Sequence, residues 1–220
     1  MRIYLKTTGT NNIVPYDHLP SLVGVIHKWL GKNNSQHGKM SLYSFSWLQG
    51  ARGSDGGLVF PHGARFFISA HEESLIKRII DQARHDPDLF MDMRIREISI
   101  QDTPNFSRDT EQFIVSSPVL IKRMDGNNVE HLIYNDAASN KALTDTMIKK
   151  MDMANINSNG LSISFDPNYR SARTKLVNYN GIHNKASFCP IVVKGTPEQI
   201  AFVWNVGVGN STGIGFGSIN

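Results

Sequence analysis

Cysteine is almost absent from this 220-residue sequence, in which Cys189 is the only one. A single cysteine excludes a disulfide within the chain, which is typical of a reducing compartment, and we therefore expect a cytoplasmic protein. Cys189 lies in the apolar stretch SFCPIVV and is interpreted as a small buried residue rather than a catalytic thiol. No apolar run approaches the ~18 residues of a membrane span, and the N-terminal MRIYLKTT lacks the apolar core of a signal peptide, so no membrane contact is predicted.

Metal-ligand and nucleotide-binding signatures are also missing. No histidine pair has the H-x₃-H spacing of a zinc site, so the sequence predicts no metal site and no other cofactor. A dinucleotide-binding turn needs G-x-G-x-x-G before a helix, but the sixth position counted from Gly207 is Thr212, and from Gly213 it is Ser218. The GK[ST] step of a phosphate-binding P-loop is absent as well.

The sequence does contain enough apolar residues for a folded core, together with a mild excess of positive charge. Apolar residues make up 40% and charged residues 19% of the chain, which argues against a disordered protein. The net charge of +4 is compatible with a polyanionic partner. Eight histidines are present, and imidazole exchanges protons near neutral pH.

Apolar periodicity predicts the element order β-α-β-β-α-β in the first half, with 58–61 as either a strand or only a hairpin arm, and a second, looser pass of the same order in the second half. In the first pass the predicted strands are 2–7, 41–48, 58–61, 64–70 and 90–100, and the predicted helices are 18–30 and 72–84. The segment between the first strand and the first helix, and residues 50–57, are predicted loops. In the second pass the strands are 112–122, interrupted at Pro118, then 129–134, 160–166, 172–179 and 186–194, and the helices are 138–153 and 197–206. We therefore predict an α+β protein of tandem ferredoxin-like (RRM-like) domains, 1–104 and 105–220.

The last stretch, WNVGVGNSTGIGFGSIN at 204–220, is unusually rich in glycine. Its glycines are Gly207, Gly209, Gly213, Gly215 and Gly217. Such spacing excludes a helix and predicts a loop whose backbone N–H groups are free to bind phosphate, before a short final strand. A glycine-rich turn that closes a last hairpin is the alternative interpretation.

Several segments, taken in order, resemble the sixth Cas family, the CRISPR-associated endoribonucleases that cut precursor CRISPR RNA within its repeats. The helix LPSLVGVIHKWL at 19–30 is followed by a histidine-bearing loop and an aromatic strand, QHGKMSLYSFSWL at 36–48. SSPVLIK at 116–122 matches the Ser-Pro pair that this family carries in mid-chain, followed by apolar residues. KASFCPIVVKGTPEQIAFVWNVGVG at 185–209 leads into the glycine loop. The resemblance covers most of the chain and implies a metal-independent endoribonuclease.

The resemblance also implies that His37, in a polar loop after the first helix, is the catalytic histidine, and a solvated loop histidine is the alternative interpretation. In that reaction a ribose 2′-OH attacks the adjacent phosphate, and the products carry a 2′,3′-cyclic phosphate and a 5′-OH. Lys39 is a candidate for stabilising the phosphorane, or else a surface lysine. Tyr43 would orient the scissile phosphate, or else serve packing. His27, beside the apolar stripe of the first helix, is the alternative catalytic group.

Basic residues are candidates for RNA contacts. The run YRSARTK at 169–175 places Arg170, Arg173 and Lys175 near an aromatic ring, and Arg52 lies in a polar loop. A solvated basic hairpin is the alternative. The expected partner is CRISPR repeat RNA, with CRISPR effector subunits or a second copy of the chain as further candidates. Two other functions stay open: a repeat-RNA-binding subunit that does not cut, and an unrelated α+β enzyme whose glycine loop binds a small phosphorylated ligand.

Overall fold

The computed structural model describes residues 1–31, 40–126 and 128–220 of the chain. No helix within these ranges is long and apolar enough to cross a membrane. Helices alternate with antiparallel strands along both halves of the chain, as the apolar periodicity predicts.

The first half follows the predicted pattern, with element ends shifted by a few residues. Its elements in chain order are β1 (Arg2–Thr7), β2 (Thr10–Val14), α1 (Leu19–Leu30), β3 (Tyr43–Phe45), β4 (Arg52–Ser54), β5 (Gly57–Phe60), β6 (Arg65–Ala70), α2 (Glu73–His85) and β7 (Ile95–Gln101). Helix α1 carries a proline in its first turn, where no N–H is needed, and ends at Gly31, whose φ of 82° suits glycine.

The main sheet of the first half has the strand order β3-β6-β1-β7, and all neighbouring strands are antiparallel. Helices α1 and α2 pack against each other and bury their apolar stripes in one core with this sheet. The core includes Ile3 and Leu5 of β1, Leu22 and Ile26 of α1, and Ile76 and Ile79 of α2. This is the predicted ferredoxin-like arrangement.

A second, smaller sheet of the first half was not predicted. Strand β5 pairs with β2 on one side and with β4 on the other. Two segments predicted as loops therefore contain the strands Thr10–Val14 and Arg52–Ser54, and both predictions are wrong there. Neither segment has a sustained alternation of apolar residues, so their pairing depends on β5 rather than on their own pattern.

The second half repeats the alternation around a three-stranded sheet, β11-β14-β8. Its elements are β8 (Thr110–Phe113), β9 (Ile121–Asp125), β10 (Asn128–Leu132), α3 (Ser139–Met153), β11 (Ser162–Phe165), β12 (Arg173–Tyr179), β13 (Ile182–Phe188), β14 (Ile191–Lys194) and α4 (Pro197–Val206), then a 3₁₀ helix at Thr212–Ile214. Strands β9 and β10 form one hairpin, and β12 and β13 form another. The tandem ferredoxin-like class is thereby confirmed.

Two predicted strands of the second half are each divided at a proline. Pro118 lies between β8 and β9, and Pro190 lies between β13 and β14. Because proline has no N–H for the ladder, neither predicted strand continues through its proline, and the chain enters a different sheet beyond it, although β8 already ends at Phe113. The final strand predicted after the glycines is reduced to an isolated bridge between Val115 and Ile219.

The two halves share apolar packing. The core built by α1, α2 and the main sheet also contains Leu120, Val177, Ala186 and Phe216 from the second half. The second half has its own core as well, which contains the inward face of α3 and most of α4. A division into units at 104/105 stays a prediction, because the β12–β13 hairpin and the end of the chain pack on the first half.

Candidate active site at the junction of the two halves

The C-terminal tail, residues 207–220, is mostly buried between the two halves. The N–H groups of Gly207, Gly215 and Gly217 donate hydrogen bonds to carbonyl oxygens of the same chain. These three glycines therefore do not offer the free donors that the sequence interpretation required. Their N–H groups fix the path of the tail instead.

Close packing explains why glycine is needed at two tail positions. A Cβ on Gly213 would collide with the side chain of Ser41 and lie 3.0 Å from the Tyr43 hydroxyl. Gly215 has a φ of 90°, and a Cβ there would lie 2.5 Å from the Leu19 side chain. The tail can therefore approach α1 and β3 far more closely than a chain with side chains could.

Tyr43, at the start of β3, is buried and points its hydroxyl at this contact. The hydroxyl donates to the carbonyl oxygen of Gly213 at 3.1 Å and lies 3.4 Å from Nε2 of His27, which is half-buried near the end of α1. Burial raises the pKa of Tyr43, so the phenol keeps its proton at neutral pH. In this position the hydroxyl orients the His27 ring and the tail.

A buried lysine reaches the same region from the second half. Lys150 of α3 donates from Nζ to Oγ1 of Thr212 at 3.1 Å, and the Thr212 hydroxyl lies 3.4 Å from the carbonyl oxygen of Ser41. No carboxylate among the described residues pairs with this ammonium. Burial lowers the pKa of Lys150 to about 7, because the charged form loses its hydration.

These contacts define a junction cluster. Its members are His27, Ser41, Tyr43, Lys150, Thr212 and Gly213. The cluster combines an imidazole, a protonated phenol and an ammonium group that titrates near neutral pH, which are the groups needed for proton transfer and for stabilising anionic charge. His37 and Lys39, the predicted catalytic residues, lie outside the described residues, between His27 and Ser41 in the sequence.

Sequence reasoning missed Lys150 and Thr212. A signal for the lysine was available, because Lys150 continues the apolar stripe of Leu143 and Met147 on α3, where a charged residue is rare. Thr212 gives no local signal. Only the tertiary contact between the tail and Ser41 brings it to the site.

Two of the predicted RNA-binding cations lie on aromatic rings near the tail. On β12, the Arg173 guanidinium lies 4.9 Å from the centre of the Phe188 ring, and Lys175 Nζ lies 4.9 Å from the centre of the Trp47 ring. The indole N–H of Trp47 donates to the carbonyl oxygen of Gly215 at 2.7 Å. Lys175 is therefore linked to the glycine-rich segment through Trp47, a contact that the sequence did not predict, and RNA binding by Arg173 and Lys175 stays a prediction.

The two other predicted RNA-binding cations lie on the exposed surface. Arg170 is exposed in the turn before β12. Arg52 is exposed on β4, in the small sheet, with its guanidinium 3.5 Å from Nε2 of His62. RNA contacts of Arg52 and Arg170, like those of the other predicted RNA-binding residues, stay predictions.

The C-terminal half of the sequence identifies the family. Residues 101–220, more than half of the chain, match the family model described as CRISPR associated protein Cas6, C-terminal. The chain belongs to the Cas6 family. Membership gives the protein a role in processing or binding CRISPR repeat RNA. No curated protein matches the sequence significantly.

Solved structures with the same fold extend the likeness to the whole chain. One, described as CRISPR associated protein Cas6, is 20% identical with a TM-score of 0.84, and the match covers 100% of this chain and 98% of that one. A Cas6-related protein from Pyrococcus furiosus is 16% identical, with a TM-score of 0.84 and coverage of 100% and 97%. A RAMP protein described as binding different RNA substrates is 17% identical, with a TM-score of 0.84 and coverage of 100% and 98%.

Proposed function

We propose that the protein is a metal-independent endoribonuclease that cuts precursor CRISPR RNA within its repeats. The main support for the proposal is that a chain of the Cas6 family carries the junction cluster, with its imidazole, phenol and ammonium groups. It holds the His27 imidazole against the Tyr43 phenol, at a point where α1 leads into the sequence that contains His37. RNA is the proposed substrate because similar structures are described as binding RNA substrates or as a product complex.

The proposed reaction is an internal transfer of the phosphate. A general base takes the proton of the ribose 2′-OH, and the 2′ oxygen forms a bond to the adjacent phosphorus. The bond from phosphorus to the 5′ oxygen of the next nucleotide breaks, and a general acid gives that oxygen a proton. The products carry a 2′,3′-cyclic phosphate and a 5′-OH. A nearby cation stabilises the extra negative charge of the phosphorane.

His37 is the proposed acid or base and Lys39 the proposed phosphorane cation, both on the basis of the family resemblance. Tyr43 is proposed as a positioning residue, because its buried hydroxyl contacts His27 and Gly213. His27 supplies the second imidazole. If His37 is not required, His27 takes its place as the catalytic histidine.

The proposal is tested with a labelled repeat RNA from the CRISPR locus of the source genome, incubated with protein in EDTA. Wild type is compared with His37→Ala, with His27→Ala and with His85→Ala, a control whose exposed histidine contacts its own helix. A second RNA carries a 2′-deoxy residue at the cut site. We expect wild type and the control to leave a cyclic phosphate, His37→Ala to lose cleavage, and the 2′-deoxy RNA to stay intact.

A repeat-binding subunit that does not cut is the second candidate. It is favoured by the similarity to a structure described only as binding different RNA substrates. Tight binding of the repeat RNA without any cleavage would select this candidate. A wild-type protein that neither binds nor cuts the repeat would overturn both. Association with CRISPR effector subunits, or with a second copy of the chain, stays a prediction of the family resemblance.

A further inference from the structure

A cleft of about 470 Å³ lies outside the junction cluster, between the start of α1 and strand β12. Its volume falls in the range of about 300–1,000 Å³ that is usual for small-ligand sites. Residues that line it include Tyr16, His18, Trp47, Leu58, Lys175 and Leu176. Below we call it the Trp47 cleft. Its lining joins aromatic and apolar surface to the Lys175 cation, with Asp17 as an acidic residue at the same wall as Tyr16 and His18, and rings beside a cation are the combination that holds unpaired nucleotides.

Trp47 is held firmly in this cleft. Its indole N–H donates to the carbonyl oxygen of Gly215, and its ring meets the edge of Phe188 at a centroid distance of 5.8 Å and an angle of 86°. A ring fixed in this way has lost its rotamer freedom before any ligand binds. It therefore offers a stacking surface at low entropic cost.

Lys175 lies over the face of the fixed ring, 4.9 Å from its centre, and its flexible side chain is exposed. A base that stacks on Trp47 would displace the ammonium, which could then pair with the phosphate of the same nucleotide. Arg173, two residues earlier on the same strand, lies over Phe188 in the same manner. Cations and rings thus alternate along this edge of the hairpin, and this complements a strand that alternates phosphates and bases.

His18 adds a hydrogen-bonding group to the opposite wall. Its Nδ1 lies 2.8 Å from the carbonyl oxygen of Pro15 and must donate there when the ring is neutral. Burial lowers the pKa of His18, so the ring is neutral at physiological pH and Nε2 is an acceptor. An acceptor beside a stacked base suits a base amino group or a ribose 2′-OH.

We propose that the Trp47 cleft holds one unstacked base of the bound RNA strand, with Trp47 and Tyr16 as stacking surfaces and Lys175 on the adjoining phosphate. The proposal rests on the proposed RNA-binding function and adds a subsite away from the junction cluster. It commits to a nucleotide within an RNA strand, because the cations on β12 continue beyond the cleft and a free nucleotide would use only one of them.

The test scans the repeat RNA with single abasic residues, using a 2′-deoxy residue at the cut site to prevent cleavage. Dissociation constants are measured for wild type and for Tyr16→Ala, whose ring is 67% exposed, so that its removal leaves the fold intact. We expect one abasic position to weaken binding to wild type about 10-fold. At that position Tyr16→Ala should show a much smaller loss, since the stacking partner is already gone.

A matched pair of charge variants locates the base. Leu176 and Ile182 lie on the same hairpin and are each 62% exposed, but of the two only Leu176 lines the Trp47 cleft. Leu176→Glu should weaken RNA binding clearly more than Ile182→Glu, although both change the net charge equally. Binding should also quench the fluorescence of Trp47, because the other two tryptophans, Trp29 and Trp204, are buried.

The outcomes separate this proposal from the proposed function. One outcome is that wild type binds the repeat RNA while each abasic position raises the dissociation constant by the same factor in wild type and in Tyr16→Ala. In that case the cleft proposal is wrong, and the proposed RNA function is unaffected. If a free mononucleotide quenches Trp47 as strongly as the RNA does at equal concentration, the cleft is a small-molecule site instead. If wild type binds no repeat RNA at all, the proposed function fails together with the cleft proposal.

Discussion

Two buried cations, Arg2 and Lys150, contact the C-terminal tail, and they differ greatly in their hydrogen-bond partners. Arg2 of β1 lies between the rings of Phe67 and Trp204, 3.9 and 3.7 Å from their centres. Its terminal nitrogens donate to the carbonyl oxygens of Trp204 and Ile219 and to the side chain of Asn220, while its buried Nε has no hydrogen-bond partner among the described residues. Burial lowers its pKa to about 10, so Arg2 stays charged at neutral pH. Lys150 is as deeply buried, yet its ammonium bonds to one neutral hydroxyl, that of Thr212.

We interpret the difference as a division of roles, in which one end of the tail serves stability and the other belongs to the site that we propose for catalysis. A buried cation with several donors paired and two rings around it strengthens the fold. A buried ammonium with one hydroxyl as its partner costs stability, and proteins retain such groups mainly where function needs them. The Arg2 contact is therefore a structural clamp, whereas the Lys150 contact lies in the junction cluster beside His27 and Tyr43.

The largest effect is expected at the clamp. Arg2→Met leaves buried carbonyl oxygens without donors and should lower the free energy of unfolding by about 3 kcal/mol or more. Urea unfolding at neutral pH measures it. The control is Arg78→Met on the exposed face of α2, which should change stability by less than about 0.5 kcal/mol. Equal effects of the two variants would show that Arg2 is not a clamp on the tail.

A second comparison uses two glycines that both have positive φ. Gly215 (φ 90°) faces Leu19 and Phe45, whereas Gly160 (φ 79°) faces open space among the described residues. Both alanine variants carry the strain of a left-handed residue, but only Gly215→Ala also forces the tail away from α1. Gly215→Ala should therefore be less stable than Gly160→Ala by about 2 kcal/mol in urea unfolding. Equal losses would show that the tail packs loosely at this point.

At the Lys150 end of the tail, removing the buried cation should raise the free energy of unfolding rather than lower it. Lys150→Met removes a buried charge and should stabilise the protein at pH 7 by about 1–3 kcal/mol. Below pH 7 the lysine is protonated in both states, so the cost of burying the charge is constant. Between pH 7 and its ordinary pKa of 10.5, the unfolded state holds a proton that the folded state has released. The free energy of unfolding of wild type therefore rises with pH in this window.

The rise should be much smaller in the variant, which keeps only the contribution of groups such as the N-terminal amine and Lys122, whose pKa values are also lowered by burial. Urea unfolding of both proteins at several pH values between 6 and 10 measures the difference. Identical pH profiles for wild type and Lys150→Met would show that Lys150 is not the buried titrating group we describe. The profile of Arg2→Met serves as a control, since it should keep the rise.

Most of the scaffold was predictable from apolar periodicity, and most of the site was not. The apolar stripes of α1 and α2 and the alternating apolar residues of β1 predict two helices and a strand that share one core, and the structure confirms them. The strands Thr10–Val14 and Arg52–Ser54 were missed because their pairing comes from β5. The tail glycines were noticed, but their role as contact points for Ser41 and Leu19 depends on residues far away in the sequence.

The most direct test removes one hydroxyl at each end of the tail. Tyr43→Phe deletes the oxygen that contacts His27 and Gly213, whereas Tyr4→Phe deletes the oxygen that bonds to Asn220 beside Arg2. Single-turnover cleavage of the repeat RNA is measured for both, together with urea unfolding. We predict that Tyr43→Phe slows cleavage by at least ~10-fold, while Tyr4→Phe leaves the rate unchanged. Unchanged cleavage by Tyr43→Phe would contradict a catalytic site at the junction of the two halves.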